Sequence, residues 1–143
     1  RLTGSLQDEW RPRLQVCCPS GLTIYALDEV PVKGAALPTL VTEAEYTFTL
    51  LDDSVIVDAL RARLDDLLAQ PEIQRTRNNK PYDLRPLVQA LAYRGTTSYG
   101  HCFDVTMRAE PGATGRPDEL LAELGYESAP RRITRLTLIF LEP

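Results

Sequence analysis

The sequence predicts an α+β domain, an antiparallel sheet with two helices on one of its faces. Three observations predict it. Glu43–Leu51 alternates apolar and polar side chains with period two, Val55–Leu68 repeats its apolar residues at helical spacing, and from Glu43 onward the signals run strand, helix, strand, strand, strand, helix, strand. With one hairpin strand set aside, that order is the split β-α-β of ferredoxin-like folds, so the expectation is a ferredoxin-like sheet with an additional hairpin strand. Such a sheet keeps one face uncovered. Here that face carries no aromatic pair of the kind that stacks bases.

The chain has 143 residues, enough for one ordinary domain or two very small ones, and 43% hydrophobic content with only 8 glycines is globular rather than disordered. Residues 1–38 read as an amino-terminal helix and strand remnant with a connector, and residues 39–143 as the ferredoxin-like domain. Leu2, Leu6, Trp10 and Leu14 recur every four residues from a start that is not Met, as if a helix had already begun, so the chain is expected to be a piece of something longer. Pro12 restricts that helix. After the turn residues Pro19-Ser20-Gly21, the β-branched and apolar run Leu22–Val30 reads as a strand, and Pro31–Pro38 as a connector.

Within the larger domain, Ala44, Tyr46, Phe48 and Leu50 form the inward face of the first strand, against Glu43, Glu45, Thr47 and Thr49. Asp52-Asp53-Ser54 offers an N-cap and negative charge at the start of the first helix, and Pro71 stops it. Ile73–Arg77 is a short strand, Asn78-Asn79-Lys80 a hairpin turn because Asn tolerates positive φ, and Tyr82–Tyr93 a longer returning strand, interrupted or at an edge near Pro86. A loop with Gly95 and Gly100 leads to the strand Cys102–Ala109. Pro111–Gly115 is a connection, Pro117 opens a helix with Asp118 and Glu119 in its first turn, and Gly125 ends it. Ile133–Leu141 is the last strand, expected beside the first and near the middle of the sheet.

Charge is placed unevenly. Residues 1–71 hold 6 basic and 11 acidic side chains, residues 72–143 hold 10 and 9, and the net charge is -4. This argues against a generic polyanion binder. Between Glu72 and Arg94, however, Arg75, Arg77, Lys80, Arg85 and Arg94 outnumber Glu72 and Asp83, so a face built there attracts an anion. Arg75, Arg77, Lys80 and Arg85 are candidates to grip a phosphate or carboxylate, with Asp83 holding one guanidinium in place. Arg132 and Arg135 are candidates to join the same face. The structural alternative is that Asp83 and Arg85 satisfy one another beside a proline-bent edge.

Other chemistry finds little support. The three cysteines fit no disulfide framework and no cluster spacing, and read as small buried side chains in a reducing cell. His101 and Cys102 are neighbours on a strand and point to opposite faces, so they do not make a nucleophile and base. Nothing supplies catalytic residues, a metal-ligand set or a cofactor loop. No run of 18 apolar residues or secretory signal occurs, which makes the cytoplasm the default compartment and a membrane an unexpected partner.

Four segments carry a resemblance: Thr39-Leu40-Val41-Thr42-Glu43-Ala44-Glu45-Tyr46, Lys80-Pro81-Tyr82-Asp83-Leu84-Arg85-Pro86, Gly115-Arg116-Pro117-Asp118-Glu119-Leu120-Leu121 and Arg132-Ile133-Thr134-Arg135. In this order they resemble the signatures of the radical-SAM-linked protein family, a bacterial domain encoded beside or fused behind a radical S-adenosylmethionine protein. The aspartate-leucine-arginine-proline element is the most specific part. Only the carboxy-terminal half of that family is resembled, because its phenylalanine-serine-histidine-leucine-aspartate and proline-histidine-proline motifs are absent. The resemblance implies a radical SAM partner and an accessory, noncatalytic role. Family members often sit near genes for ribosomal proteins and an RNase E/G type nuclease, which implies RNA work as the alternative, with the basic hairpin as an RNA-binding face.

Overall fold

The computed structural model describes residues 6–29, 34–52 and 54–141. The chain divides between Ala35 and Ala36 into two units. In the first, helix α1 spans Trp10–Val16 and takes Pro12 in its opening turn, where no intrahelical partner for a backbone N–H is lost. The strand expected over Leu22–Val30 does not form across its described part, residues 22–29. Side chains replace a ladder there: Gln15 donates from Nε2 to the Leu22 carbonyl at 2.9 Å and accepts the Ile24 N–H at 2.7 Å, while Arg11 Nε donates to the Ile24 carbonyl at 3.2 Å. Val30 and the first residues of the expected connector, 31–33, lie outside the described residues.

The second unit begins with a short helix, α2 (Leu37–Leu40), and strand β1 (Val41–Leu50). It continues with helix α3 (Val57–Ala69), strands β2 (Gln74–Arg77) and β3 (Lys80–Asp83), a 3-10 turn at Arg85–Leu87, and strands β4 (Val88–Thr97) and β5 (Gly100–Glu110). A two-residue strand β6 (Ala113–Thr114), helix α4 (Pro117–Glu123) and strand β7 (Arg131–Phe140) complete it. The main strands are ordered β4-β5-β1-β7 and every neighbouring pair is antiparallel. With α3 after β1 and α4 after β5, this is the ferredoxin-like arrangement the sequence predicts.

The core explains why it forms. Period-two strands present Ala44, Phe48 and Leu50 from β1 and Phe103, Val105 and Met107 from β5 to one side, where Leu60, Leu64 and Leu67 of α3 and Leu120 and Leu121 of α4 cover them. Phe48 and Phe103 sit opposite each other in the register and stack with ring centroids 4.9 Å apart, both fully buried. Truncating either ring costs about 3–5 kcal/mol. The other face carries Thr47, Thr49, Cys102, Asp104 and Thr106 and is left uncovered by α3 and α4.

Four local expectations are corrected. The interruption expected near Pro86 within Tyr82–Tyr93 occurs, but it divides the segment between two sheets and does not bend one strand, so β2 and β3 make a separate two-stranded sheet and β4 joins the main one. Helix α3 starts at Val57, later than its acidic cap signal, because Asp52 spends its side chain on a tight turn, accepting the Ser54 N–H at 2.9 Å. Asp53 lies outside the described residues. Gly95 belongs to β4, at an irregularity opposite Cys102, and not to a loop. Lastly, β7 pairs with β1 as expected but closes the sheet as its edge.

Candidate functional site

The basic hairpin is built by its turn. Asn78 (φ 52°) and Asn79 (φ 60°) both take the left-handed conformation, which twists a two-residue connection to match the flanking strands and sets Arg77 opposite Lys80. Alternation then places Arg75 and Arg77 on one side of β2, where α4 lies. Arg75 Nη1 meets Glu123 Oε2 at 3.2 Å, and Arg77 donates from Nε to Glu119 Oε1 at 2.8 Å and from Nη2 to Glu119 Oε2. Residues two apart on a strand are separated by about 6.7 Å and residues four apart on a helix by about 6 Å, so each arginine faces its own glutamate.

The Arg77–Glu119 pair is largely withdrawn from water, with side chains 23% and 20% exposed. The hydrogen bonds from Arg77 hold the Glu119 carboxyl below the usual carboxylate range, and those same bonds raise Arg77 further. The Arg77 guanidinium also covers the Tyr82 ring, 4.7 Å from its centroid. Burial pushes the Tyr82 hydroxyl up, and the nearby Glu119 adds to the rise. That hydroxyl oxygen is buried and has no hydrogen-bond partner among the described residues.

Asp83 and Arg85 do not pair through their side chains, contrary to the expectation from strand alternation. Leu84 and Arg85 leave the strand for the 3-10 turn, so Asp83 Oδ1 instead accepts the backbone N–H groups of Ile73 at 2.8 Å and Arg85 at 2.9 Å. The Arg85 guanidinium reaches the Leu68 carbonyl from Nε (3.2 Å) and Nη2 (3.1 Å) and the Val88 carbonyl from Nη1 (2.9 Å). It therefore ties the last turn of α3, where free carbonyls and the helix dipole favour a cation, to the start of β4. Both residues of the aspartate-leucine-arginine-proline element serve the backbone.

Of the candidate residues, Arg77, Lys80 and Asp83 are brought together with Tyr82, Leu87 and Ala113 around a cleft of about 430 Å³. Arg75 and Arg85 are turned to other partners. Arg132 and Arg135 do not join this cleft or each other. The register sets Arg132 opposite Thr49 on the uncovered face and Arg135 opposite Tyr46 on the helix-covered one, so a single anion face does not result. The reason is their spacing of three, an odd step that reverses side-chain direction along a strand. Arg132 lies over the exposed Tyr99 ring at 5.6 Å. Among the described residues no carboxylate lies within ion-pair distance of Lys80, Arg132 or Arg135.

The remaining polar groups are structural in their contacts. His101 Nδ1 is 3.1 Å from Thr96 Oγ1, and Cys102 Sγ is 3.5 Å from Thr49 Oγ1 on the opposite face, the separation that strand alternation demands. The cysteines are not the buried side chains expected: Cys17 is exposed, and Cys18 and Cys102 are half-buried. Among the described residues no cluster of His, Cys, Asp or Glu could hold a metal ion, and no helix is long and apolar enough to cross a membrane. Sequence reasoning missed Glu119 and Glu123 as partners of the hairpin, although their spacing of four matches the alternation of Arg75 and Arg77. It also missed the exposure of Leu136, Phe140 and Leu141 at the sheet edge, since their run reads as buried strand.

No curated protein and no solved structure matches the chain. A family described as an uncharacterized protein conserved in bacteria, DUF2344, matches residues 3–117, a span that takes in the first strand, the hairpin and the Gly115–Pro117 entry to α4. On that match, the chain belongs to the DUF2344 family of bacterial proteins.

Proposed function

We propose that this chain is an accessory binding domain that serves a radical SAM protein by holding that protein or its substrate, without performing a reaction itself. The radical SAM partner comes from the resemblance of the four signature segments. The observation that carries the binding role is the surface of β7. Leu136 (58% exposed) and Phe140 (39%) on β7 and Leu141 (58%) just beyond it leave large apolar side chains exposed, and Arg135, beside Leu136 in the chain, has no carboxylate within ion-pair distance among the described residues. Exposed large apolar side chains beside a cation are the composition of a protein-binding edge.

The alternative of an RNA-binding hairpin loses most of its contacts. Arg75, Arg77 and Arg85 direct their guanidinium groups to Glu123, Glu119 and the carbonyls of Leu68 and Val88, which leaves Lys80 as the cation of the hairpin without an ion-pair partner among the described residues. Calorimetric titration of the purified chain with the radical SAM protein tests the proposal. Saturable binding is expected, and absence of heat and of co-migration at every salt concentration rejects it. Titration with RNA in parallel is expected to show weak binding, with the shallow salt dependence of very few phosphate contacts.

A further inference from the structure

The border of the sheet at β7 supports a more specific statement than a binding patch. β7 is ten residues long, pairs with β1 on one side, and has no strand on its other side among the described residues. The opposite border, β4, is interrupted twice where register shifts accommodate Gln89 and Arg94, and such bulges obstruct pairing with a further strand. β7 carries one such extra residue, Leu136, between Arg135 and Thr137. Its first five residues, Arg131–Arg135, are regular, and they hold three arginines and no acid. Arg131 is committed to Asp118 at 3.0 Å, whereas Arg132 and Arg135 find no carboxylate among the described residues.

We infer that β7 receives an extended segment of a partner protein by strand addition, and that this segment is apolar with two carboxylates three residues apart. The inference rests on the accessory-domain reading and deepens it. Main-chain hydrogen bonds to the free border supply the pairing, and side chains on the two faces supply selection. Arg132 projects on the uncovered face and Arg135 on the helix-covered one, so a docked strand meets one guanidinium on each of its faces. Two acids an odd number of residues apart answer both. Leu136, Phe140 and Leu141 select apolar residues beyond them. Charge complementarity identifies the occupant, because a strand of cations without acids favours an acidic neighbour and disfavours a basic one.

The test uses the full chain and a blocked ten-residue peptide of valine and threonine with two glutamates three residues apart. Its counterparts carry lysines at those two positions, or N-methyl groups on alternate backbone nitrogens. The glutamate peptide is expected to bind at least about tenfold more tightly than either counterpart, and the double variant Arg132→Glu, Arg135→Glu is expected to reverse the preference toward lysine. Both side chains are exposed, so circular dichroism should show the variant folded. Equal affinity for the three peptides, no binding of any, or a chain that sediments as a β7-paired dimer overturns the inference. A chain that binds the glutamate peptide but not the radical SAM protein keeps the inference and removes the functional reading; the converse removes only the inference.

Discussion

Arg77 grips Glu119 through two parallel hydrogen bonds, and by doing so fastens a hairpin that belongs to a separate sheet onto helix α4. The pair has a measurable signature. A carboxyl whose folded pKa lies below its unfolded one contributes stability that is complete above the unfolded value and is lost as pH falls through the folded value. Glu119 is such a group. Unfolding midpoints should therefore fall as pH drops below the ordinary glutamate range, and Glu119→Gln should lower stability at pH 7 by about 1–3 kcal/mol while flattening that acid slope. Denaturant titrations of both proteins between pH 7 and pH 3 give the comparison.

Asp83 and Arg85 hold backbone groups, so their loss should appear as instability and not as lost binding. Asp83→Ala leaves the Ile73 and Arg85 N–H groups without their acceptor, and Arg85→Ala releases the Leu68 and Val88 carbonyls. Each is expected to cost about 1–3 kcal/mol. Arg85→Lys should recover little, since an ammonium group cannot span both carbonyls as the planar guanidinium does. Thermal melts report the stability, and affinity for the proposed radical SAM partner, measured well below the melting point, should be unchanged in all three.

Gly100 leads into β5 at φ 135°, and a Cβ built there would stand 1.9 Å from the Leu50 carbonyl oxygen. Backbone, not a yielding side chain, occupies the space. Gly100→Ala should lower stability by roughly 2–4 kcal/mol through displacement of β1 from β5. At Gly115 the nearest atom is the flexible Met107 Cε, at 2.7 Å, so Gly115→Ala should be the milder of the two. Paired melting curves decide the order.

The two sets of arginines should separate in a binding assay. Arg75→Ala and Arg77→Ala remove cations already held by Glu123 and Glu119, so they should lower the melting temperature and leave partner affinity within about twofold. Arg132→Ala with Arg135→Ala should do the reverse, weakening partner affinity about tenfold or more with little change in the melt. The three variants, two single and one double, compared in one titration series report both quantities.

The sheet order was legible because its signals are local and repeat: alternation in β1 and β5, leucines at helical spacing in α3, Pro117 and Gly125 bracketing α4. The Asn78-Asn79 turn was legible for the same reason. Partnership across the fold was not. Arg75 and Arg77 looked like free cations because their glutamates lie 48 and 42 residues away, on a helix whose orientation no local pattern encodes. Pro86 announced an interruption, but whether it bends a strand or divides it between two sheets depends on where Asp83 and Arg85 find backbone partners. The border position of β7 was missed for a different reason: the last strand was expected beside the first and so near the middle, whereas β1 has β5 on its other flank and β7 ends the sheet.

The order of strands carries a consequence for synthesis. β1 leaves the ribosome first among the sheet strands, yet both of its neighbours come late. Its Thr42 hydroxyl bonds the Ile139 carbonyl across 97 residues, and Phe48 waits for Phe103. Such distant pairings make for slow folding. Until β5 and β7 arrive, the nascent β1 shows two bare flanks and a phenylalanine, so the growing polypeptide is most open to chaperones and to misassociation during that interval.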